Sequence, residues 1–433
     1  IGIYMDVYLL SEQVDHSWSF KELERSETSY LTHSYHTYPA KFIPQLAARL
    51  ISENSNIGDL ICDPFMGSGT TLVEAIVNGR RTYGTDISPV AVLITKAKTT
   101  PIEPQNLERR VYSLRNTIKH HPINENKQTL LLKDDDDLAV VLPTNKRIDY
   151  WFPEKQKHDL SVILSGVMSI EDEDIRNFLL CAFSNILKGC SRWMMKSIKP
   201  TIDKNKIIND AYHSFFIHAY RMLKKNRVFW KKLEGKKIDC IVDNVDARKM
   251  RIHDDSVSLI VTSPPYVTSY EYADLHQLTA IWLGYIDRLS EFRTRFIGSI
   301  QKEHNQSKLY SDIGKATVDK LHLIDKREAT GVEQYFFEMQ QCFEEMYRAL
   351  KHGGRISIVI GDTDLKKVKI HNADVLLQAM EKIGFRVYDI IKRQIPSKIL
   401  PLTRDEKTGR FVATTKSDRL AYPTESILIM EKG

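Results

Sequence analysis

Cysteine is scarce in this chain, with five residues among 433 and no Cys-x-x-Cys pair. A disulfide framework or a zinc site built on paired thiolates is therefore not expected. His33 and His36 stand three residues apart without nearby thiolates, so we interpret them as structural or substrate-facing residues. We expect the protein to bind no metal.

Long apolar runs are also missing. No stretch reaches the roughly 20 apolar residues that cross a bilayer, and no charged-then-apolar signal sequence opens the chain. We therefore expect a protein of the reducing cytoplasm with no membrane partner. The chain begins with Ile1 rather than Met, so we expect a few upstream residues to be absent.

The excess of positive charge is small, since 62 Lys and Arg face 56 Asp and Glu for a formal net charge of +6. This balance suits a polyanionic partner without identifying one. Basic residues lie among aromatic ones near position 230. We take four lysines there as candidate phosphate contacts, with a solvated face as the alternative: Lys231, Lys232, Lys236 and Lys237.

Residues 262–266, Thr-Ser-Pro-Pro-Tyr, are the most informative stretch. They follow an apolar, branched segment at 257–262 that is typical of a buried strand. Two prolines remove backbone donors and favour a stiff turn at the end of that strand. Ser263 and the backbone carbonyls are then placed to accept hydrogen bonds from an exocyclic amino group, while Tyr266 offers a ring for stacking. An ordinary Pro-Pro turn after a strand is the alternative.

Residues 63–71, Asp-Pro-Phe-Met-Gly-Ser-Gly-Thr-Thr, predict a strand, a glycine turn and a helix. Gly67 and Gly69 allow the backbone to approach a ligand, and the helix start offers free N–H groups. A second strand ends at Asp86, where a Rossmann-type domain places an acid on ribose hydroxyls. No Gly-Lys-Ser/Thr sequence follows the glycines, which argues against binding of nucleoside triphosphates.

Together these segments resemble the S-adenosylmethionine-dependent DNA amino-methyltransferases, which modify cytosine N4 or adenine N6. Residues 63–71 look like the cofactor loop of that family, residues 84–89 like its ribose-binding strand end, and residues 262–266 like its catalytic motif. Residues 33–44 are similar to the segment that precedes the cofactor loop. The resemblance covers about 30–100 and 236–433, in the unpermuted order with the cofactor motif first.

The resemblance implies S-adenosyl-L-methionine as cofactor and a defined set of site residues. Between Asp243 and Asp246 we assign Asp246 to the adenine, because Ala247-Arg248 follows it as in the family pattern. The implied catalytic residues are Ser263, Pro264, Pro265 and Tyr266. The implied cofactor-binding residues are Tyr38, Lys41, Phe42, Asp63, Phe65, Gly67, Ser68, Gly69, Thr70, Thr71, Asp86, Ile87, Asp246 and Ala247.

Alternating strands and helices predict a doubly wound α/β fold with ligands at the carboxyl ends of the strands. The resemblance implies a Rossmann-like class I methyltransferase with a seven-stranded mixed sheet whose last strand is antiparallel. We expect residues 1–100 and 236–433 to form the two halves of the catalytic domain. A loop-rich and helical insertion then spans 101–235, with a loop-rich part at 101–150 and helices within 154–230.

Two parts of this organisation have open roles. The insertion is either a scaffold or a surface that grips DNA and recognises the target. The polar and basic stretch 291–333 is expected to be a mobile arm or a surface loop, with Arg293 and Arg295 as candidate DNA contacts. The glycines at 353 and 354 favour a glycine cap after a helix that ends near residue 350.

The implied activity is methylation of the exocyclic amino group of a base flipped out of double-stranded DNA. Ser263 favours cytosine N4, because adenine enzymes of the family more often carry Asp or Asn there; adenine N6 is the alternative. C5-cytosine chemistry is not expected, since no Pro-Cys dipeptide occurs. An RNA or protein amide methyltransferase and a non-catalytic subunit stay open, and a cognate restriction endonuclease is a candidate partner.

Overall fold

The computed structural model describes residues 13–39, 41–119, 138–267, 272–299, 308–395, 403–404, 411–412 and 424–433. The strands are β1 (Leu60–Asp63), β2 (Arg81–Thr85), β3 (Cys240–Asp243), β4 (Val257–Thr262), β5 (Leu350–Ile360), β6 (Thr363–Leu365), β7 (Val368–Ile370), β8 (Phe385–Gln394), β9 (Thr403–Arg404), β10 (Phe411–Val412) and β11 (Thr424–Lys432).

The helices alternate with the strands of the main sheet and dominate the insertion. They are α1 (Pro44–Asn54), α2 (Thr70–Val77), α3 (Pro89–Thr99), α4 (Pro104–Lys119), α5 (Lys146–Trp151), α6 (Glu154–Met168), α7 (Glu173–Ile186), α8 (Ala211–Lys232), α9 (Tyr272–Trp282), α10 (Leu289–Arg295), α11 (Asp312–His322), α12 (Lys326–Ala349) and α13 (Asn372–Ile383). Within the described ranges, none of them has the length and apolarity needed to cross a membrane.

The main sheet has seven strands in the order β3-β2-β1-β4-β5-β11-β8. Strand β11 runs antiparallel to both of its neighbours. The first five strands in this order, namely β3, β2, β1, β4 and β5, are parallel to one another. The chain winds outward from β1 to β3 and then returns to place β4 on the other side of β1. The predicted seven-stranded, doubly wound sheet with an antiparallel last strand is confirmed, and its topological switch point lies between β1 and β4.

Helices cover both faces of the sheet. Neighbouring residues of a strand point to opposite sides, and β4 carries apolar residues on each side. On one face, Leu259 and Val261 of β4 pack with α1. On the other, Ile260 packs with the long helix α12 and with α13. The edge of the sheet where β1 to β5 end is called the carboxyl edge below, and the opposite one the amino edge.

The insertion is more helical than the sequence predicts. Residues 101–150 were expected to be loop-rich, but α4 and α5 occupy much of this range; residues 120–137, with most of the acidic run at 133–138, lie outside the described residues. Leu107, Val111 and Leu114 lie on one face of α4 and join a core that also includes α3 and α9. Most other residues of α4 are polar, so the amphipathic spacing of its few apolar residues was overlooked in the sequence. The insertion and the catalytic domain therefore share one apolar core.

Two further expectations need correction. Residues 291–333 are not a loop, because α10 ends at Arg295, α11 lies within the stretch and α12 begins at Lys326; residues 300–307 lie outside the described part. No glycine cap follows α12, whose last residue Ala349 leads directly into β5. Gly353 and Gly354 instead lie in an irregularity of β5, where Val257 pairs with Leu350 but Leu259 already pairs with Arg355.

Candidate active site

The two motifs meet at the carboxyl edge because β1 and β4 are parallel neighbours, with Cys62 opposite Ile260. The residues that end these strands are joined directly. The Thr262 hydroxyl donates a hydrogen bond of 2.6 Å to Oδ1 of Asp63. The glycine turn after β1 and Ser263 after β4 therefore lie side by side, as the sequence predicts for a shared site.

The glycine turn needs its glycines for steric reasons. Gly67 and Gly69 have φ angles of +47° and +70°, a region that side chains other than glycine rarely adopt. A Cβ at Gly69 would also lie 2.7 Å from Cγ2 of Thr95 in α3. The turn thus packs against α3, and the Gly69 amide closes it by donating to the Met66 carbonyl at 2.6 Å.

Asp86, which follows β2, faces this turn. Its Oδ2 accepts from the Gly67 amide at 3.0 Å, and its Oδ1 accepts from the Ser88 amide at 2.8 Å. Burial raises the pKa of Asp86 to about 6 in spite of these two donors. The carboxylate is therefore fixed in direction and retains acceptor positions for a ligand.

Asp63 is the second buried carboxyl group of the site. Burial raises its pKa to about 6, against the opposing effect of hydrogen bonds from Thr262 and from the Phe65 amide. Its proximity to Asp86 raises it further. Both acids consequently change charge near pH 6 rather than near pH 4.

A cavity of about 860 Å³, which opens to solvent, lies between these groups. Most of the predicted cofactor residues line it, as do two predicted catalytic residues and one candidate DNA contact: Tyr38, Lys41, Phe42, Asp63, Phe65, Gly67, Ser68, Thr70, Asp86, Ile87, Asp246, Ala247, Ser263, Pro265 and Arg295.

The sequence reading missed five lining residues: Pro64, Met66, Tyr272, Phe296 and Ile297. Phe296 and Ile297 follow α10 and form an apolar pair inside a polar stretch, which is the one signal that singles them out. Lys98 was missed as well. It is completely buried, and its ammonium donates to the Ser68 carbonyl in the turn. A lysine on the inner face of α3 thus supports the turn from behind.

Four predicted residues lie outside the cavity wall. Gly69 faces Thr95, and the Thr71 hydroxyl donates to the Val261 carbonyl at 3.1 Å. Pro264 is buried, and Tyr266 lies toward β11. Gly69 and Thr71 thus position the loop rather than form its surface.

Tyr266 belongs to a polar chain under the catalytic motif. Its hydroxyl lies 3.3 Å from Oε2 of Glu425 and also interacts with the Ser263 side chain. Oε1 of Glu425 lies 3.3 Å from Nε of Arg393, and both side chains are buried. Burial raises the pKa of Glu425, while Arg393 opposes this shift. The first and last residues of the Ser-Pro-Pro-Tyr turn are thereby held by one network.

Asp246 lines the cavity and is held by Arg248, whose Nε and Nη2 reach its two oxygens at 2.9 and 2.6 Å. Arg248 also donates to Glu338 at 3.0 Å. Asp243 instead accepts from the Tyr83 hydroxyl at 3.1 Å and is not part of the wall. Of the two acids, only Asp246 is thus part of the cavity wall, and its assignment to the adenine stays a prediction.

The segment before the glycine turn is tied to the insertion. Nε2 of His36 lies 2.8 Å from the Ser184 hydroxyl, which contacts the Thr279 hydroxyl at 2.7 Å. The rings of Tyr38 and His276 lie 4.8 Å apart. Helices α7 and α9 therefore hold the wall of the cavity at Tyr38.

The two groups of candidate DNA contacts lie in different places. Arg295 lines the cavity, and nearby Arg293 pairs with Asp274 at 2.7 Å. The predicted lysine group 231–237 is at the amino edge, because Lys237 precedes β3 and pairs at 2.8 Å with Asp174, at the start of α7. The neighbouring Glu173 contacts Lys96 in the last turn of α3 at 3.4 Å, on the side away from Asp86. These lysines are not brought to the cavity.

The strand order, the glycine turn facing Asp86 and the cavity at the switch point define a Rossmann-like, S-adenosylmethionine-dependent methyltransferase. A family model described as DNA methylase, for N6 and N4 methyltransferases, matches residues 9–97 and 257–433. The chain belongs to this DNA methylase family.

Individual relatives agree with this assignment. The type II methyltransferase M.MvaI of Kocuria varians is 28% identical over 436 residues, covering 94% of each chain. M.MjaII of Methanocaldococcus jannaschii, also a type II methyltransferase, is 24% identical over 69% of this chain and 71% of its own. The DNA adenine methyltransferase YhdJ of Escherichia coli K12 is 37% identical over 71 residues, which is 16% of this chain and 22% of its own.

Among solved structures, a TehB-like S-adenosylmethionine-dependent methyltransferase from Corynebacterium glutamicum aligns over 89% of this chain and 87% of its own. The identity is 9% and the TM-score is 0.28. The fold assignment therefore depends on the strand order and on the family match.

The residues present fit S-adenosylmethionine. The acceptor positions of Asp86 suit a pair of ribose hydroxyls, and Asp246 can accept from an amino group. Lys41 lines the cavity near Tyr38, and burial lowers the pKa of this lysine to about 8. Its ammonium donates to the His33 carbonyl at 2.9 Å and supplies positive charge for a carboxylate. Ser263 lines the same cavity, so a base held by Ser263 and a cofactor in the cavity can meet there.

Proposed function

We propose that this chain is a type II DNA methyltransferase that modifies the N4 amino group of cytosine in double-stranded DNA. The observation that carries the proposal is the position of Ser263 on the cavity wall, one residue after the Thr262–Asp63 hydrogen bond. A group held by Ser263 is thereby placed next to the cofactor loop. The near full-length similarity to M.MvaI supports the type II assignment, with a cognate restriction endonuclease as partner and the cytoplasm as location.

The residues act on a weakly nucleophilic amino group, whose lone pair is delocalised into the base. We assign its two hydrogens to the Ser263 hydroxyl and the Pro264 carbonyl. The Pro265 carbonyl is a poorer candidate because it already accepts from the Tyr335 hydroxyl at 2.8 Å. Hydrogen bonds in these two directions favour a tetrahedral nitrogen and orient its lone pair toward the cofactor cavity.

The cofactor supplies, when bound, an electrophilic methyl group on a sulfonium sulfur. The protein contributes mainly orientation, since holding two reactants in line removes much of the entropic part of the barrier. The amino nitrogen of a paired base is not accessible to Ser263, so the base leaves the helix before reaction. We assign the stacking surface for that base to Tyr266, whose hydroxyl is anchored at Glu425.

Cytosine is preferred over adenine because Ser263 stands at the first position of the motif, where adenine enzymes of this family more often have Asp or Asn. Methylation of adenine N6 is the second candidate, and the local similarity to the adenine methyltransferase YhdJ favours it. A neutral hydroxyl accepts more weakly than a carboxylate.

A transfer assay with S-adenosylmethionine labelled in its methyl group tests this proposal. The purified chain is incubated separately with duplex DNA, RNA and a protein mixture, and the label is counted in each. We expect label in DNA alone, and we expect Ser263→Ala to lose most turnover while binding the cofactor normally. Label in RNA or protein with none in DNA would refute the proposal.

A further inference from the structure

The connection between α7 and α8 contains a strongly basic segment. Residues 188–206 join α7 to α8 and contain six Lys and Arg but a single carboxylate, Asp203. Six cations less one acid give this segment a net charge of +5. We call residues 188–206 the basic segment.

The basic segment is ordered by some of its own cations. Nζ of Lys206 donates to the carbonyls of Lys188, Ser191 and Trp193 at 2.6, 2.8 and 2.8 Å. Nζ of Lys188 donates to two further carbonyls of the segment, at residues 195 and 197. These bonds fix a stretch that has almost no regular secondary structure. A surface fixed in advance loses less conformational entropy when a partner binds.

The segment is attached close to the cavity. The ring of Trp193 stacks on Trp151 of α5, with centroids 5.2 Å apart. Nε1 of Trp151 lies 3.3 Å from Oε1 of Gln277 in α9. Gln277 is five residues after Tyr272, which lines the cavity, and this separation is roughly 7.5 Å along a helix. Helix α7 likewise ends beside His36, through Ser184.

Of the four other cations, Arg192 donates to the carbonyls of Asp149 and Tyr150 at 2.9 and 2.8 Å, and the three lysines face solvent. Lys196, Lys199 and Lys204 are exposed, and none of them forms an ion pair within the part of the chain that the structure describes. At the amino edge, Lys236 pairs with Glu234 and Lys237 with Asp174, whereas Lys231 and Lys232 are exposed. The basic segment thus presents three exposed lysines close to the cavity.

We propose that the basic segment 188–206 is the surface that holds the phosphate backbone of duplex DNA next to the flipped base. The inference rests on the proposed function, because a duplex must lie along this edge for a base to reach Ser263. Lys196, Lys199 and Lys204 are the phosphate contacts, and Lys188 and Lys206 keep the segment in shape. Phosphate contacts of this kind depend on salt, not on sequence.

The test compares two triple variants that remove the same charge. One carries Lys196→Ala, Lys199→Ala and Lys204→Ala; the matched control carries Lys231→Ala, Lys232→Ala and Lys236→Ala at the amino edge. Affinity for a duplex of arbitrary sequence is measured against salt concentration. We expect the first variant to reduce the slope of log K against log salt by up to about 3, near 0.9 per lost phosphate contact. The control should keep the slope of the parent chain.

All the replaced lysines are exposed, so both variants should melt like the parent chain and bind S-adenosylmethionine equally well. A parent-like slope for the first variant would overturn the inference, as would an equal loss in the control. Methyl transfer to DNA by the parent chain is measured alongside. Its absence would refute the proposed function, whereas transfer by the parent with no effect of the segment variant would refute this inference alone.

Discussion

The Thr262 hydroxyl donates to Oδ1 of Asp63 across 2.6 Å, although 199 residues separate them in the chain. Thr262 immediately precedes Ser263, and Asp63 opens the glycine turn that faces Asp86. One buried hydrogen bond thus sets the distance between the group that holds the base and the loop that holds the cofactor. A small shift of this pair would misalign both reactants, and such misalignment is costly in rate.

Thr262→Val should reduce stability and turnover together. It preserves the shape of the side chain but removes the hydroxyl donor of the buried Asp63, at a cost of about 1–3 kcal/mol in the free energy of unfolding. Thr317→Val is a suitable control, since the Thr317 hydroxyl only donates to the Ile313 carbonyl within α11. Urea denaturation and single-turnover rates distinguish the two variants. Equal, small effects would show that the Thr262–Asp63 bond is dispensable.

Asp86→Ala should weaken cofactor binding by about 1.5–3 kcal/mol, because it removes charge-assisted acceptors for the ribose. It also leaves the Gly67 and Ser88 amides without their partner. Asp86→Asn retains a neutral acceptor and should lie between the parent chain and the alanine variant. Calorimetry with S-adenosylmethionine measures the series, and unchanged affinity in Asp86→Ala would place the ribose elsewhere.

Cofactor affinity should decrease as the pH falls from 7 to 5. Burial raises the pKa values of Asp86 and Asp63 to about 6, so both groups become protonated in this interval and lose acceptor strength. Above pH 7 the two carboxylates are ionised and their contribution is complete. Asp86→Asn removes one titrating group, so its affinity should vary less with pH. A parent-like profile in that variant would assign the dependence to another group.

Gly69→Ala should destabilise the fold through the glycine turn. The backbone at residue 69 has a φ of +70°, which is unfavourable for alanine. The new Cβ would also lie 2.7 Å from Cγ2 of Thr95. Gly58→Ala isolates the backbone term, because Gly58 has a φ of +86° with no atom within 4 Å of its Cβ position. We expect a loss of about 1 kcal/mol at Gly58 and several at Gly69. Thermal melting of both variants, without cofactor, provides the comparison.

The parts of this site that were predictable from sequence are those that local chemistry imposes. Ser263 follows a buried strand and precedes two prolines, and Gly67 and Gly69 stand where a strand turns into a helix. Each pattern has few structural solutions, and the seven-stranded order followed from the family that these patterns resemble. Strand pairings such as Cys62 with Ile260 are set by packing over the whole chain and have no local signal.

Other features could not be placed from the sequence because their patterns are ambiguous. The lysines at 231–237 and those at 188–206 look alike in sequence, and only the directions of α7 and α8 show that the first group lies at the amino edge. The glycines at 353 and 354 suit a helix cap and a strand irregularity equally well. From sequence, Lys98 is expected on the surface of α3. In the structure it is buried, and its ammonium donates to the Ser68 carbonyl.

The most direct test of the central claim is mass spectrometry of nucleosides digested from duplex DNA after incubation with the chain and S-adenosylmethionine. The account predicts N4-methylcytosine in DNA treated with the parent chain and its near absence after treatment with Ser263→Ala. N6-methyladenine as the sole product would contradict the assignment of cytosine while leaving the site in place. 5-Methylcytosine, or no methylated nucleoside at all, would contradict the claim that Ser263 presents an amino group for methylation.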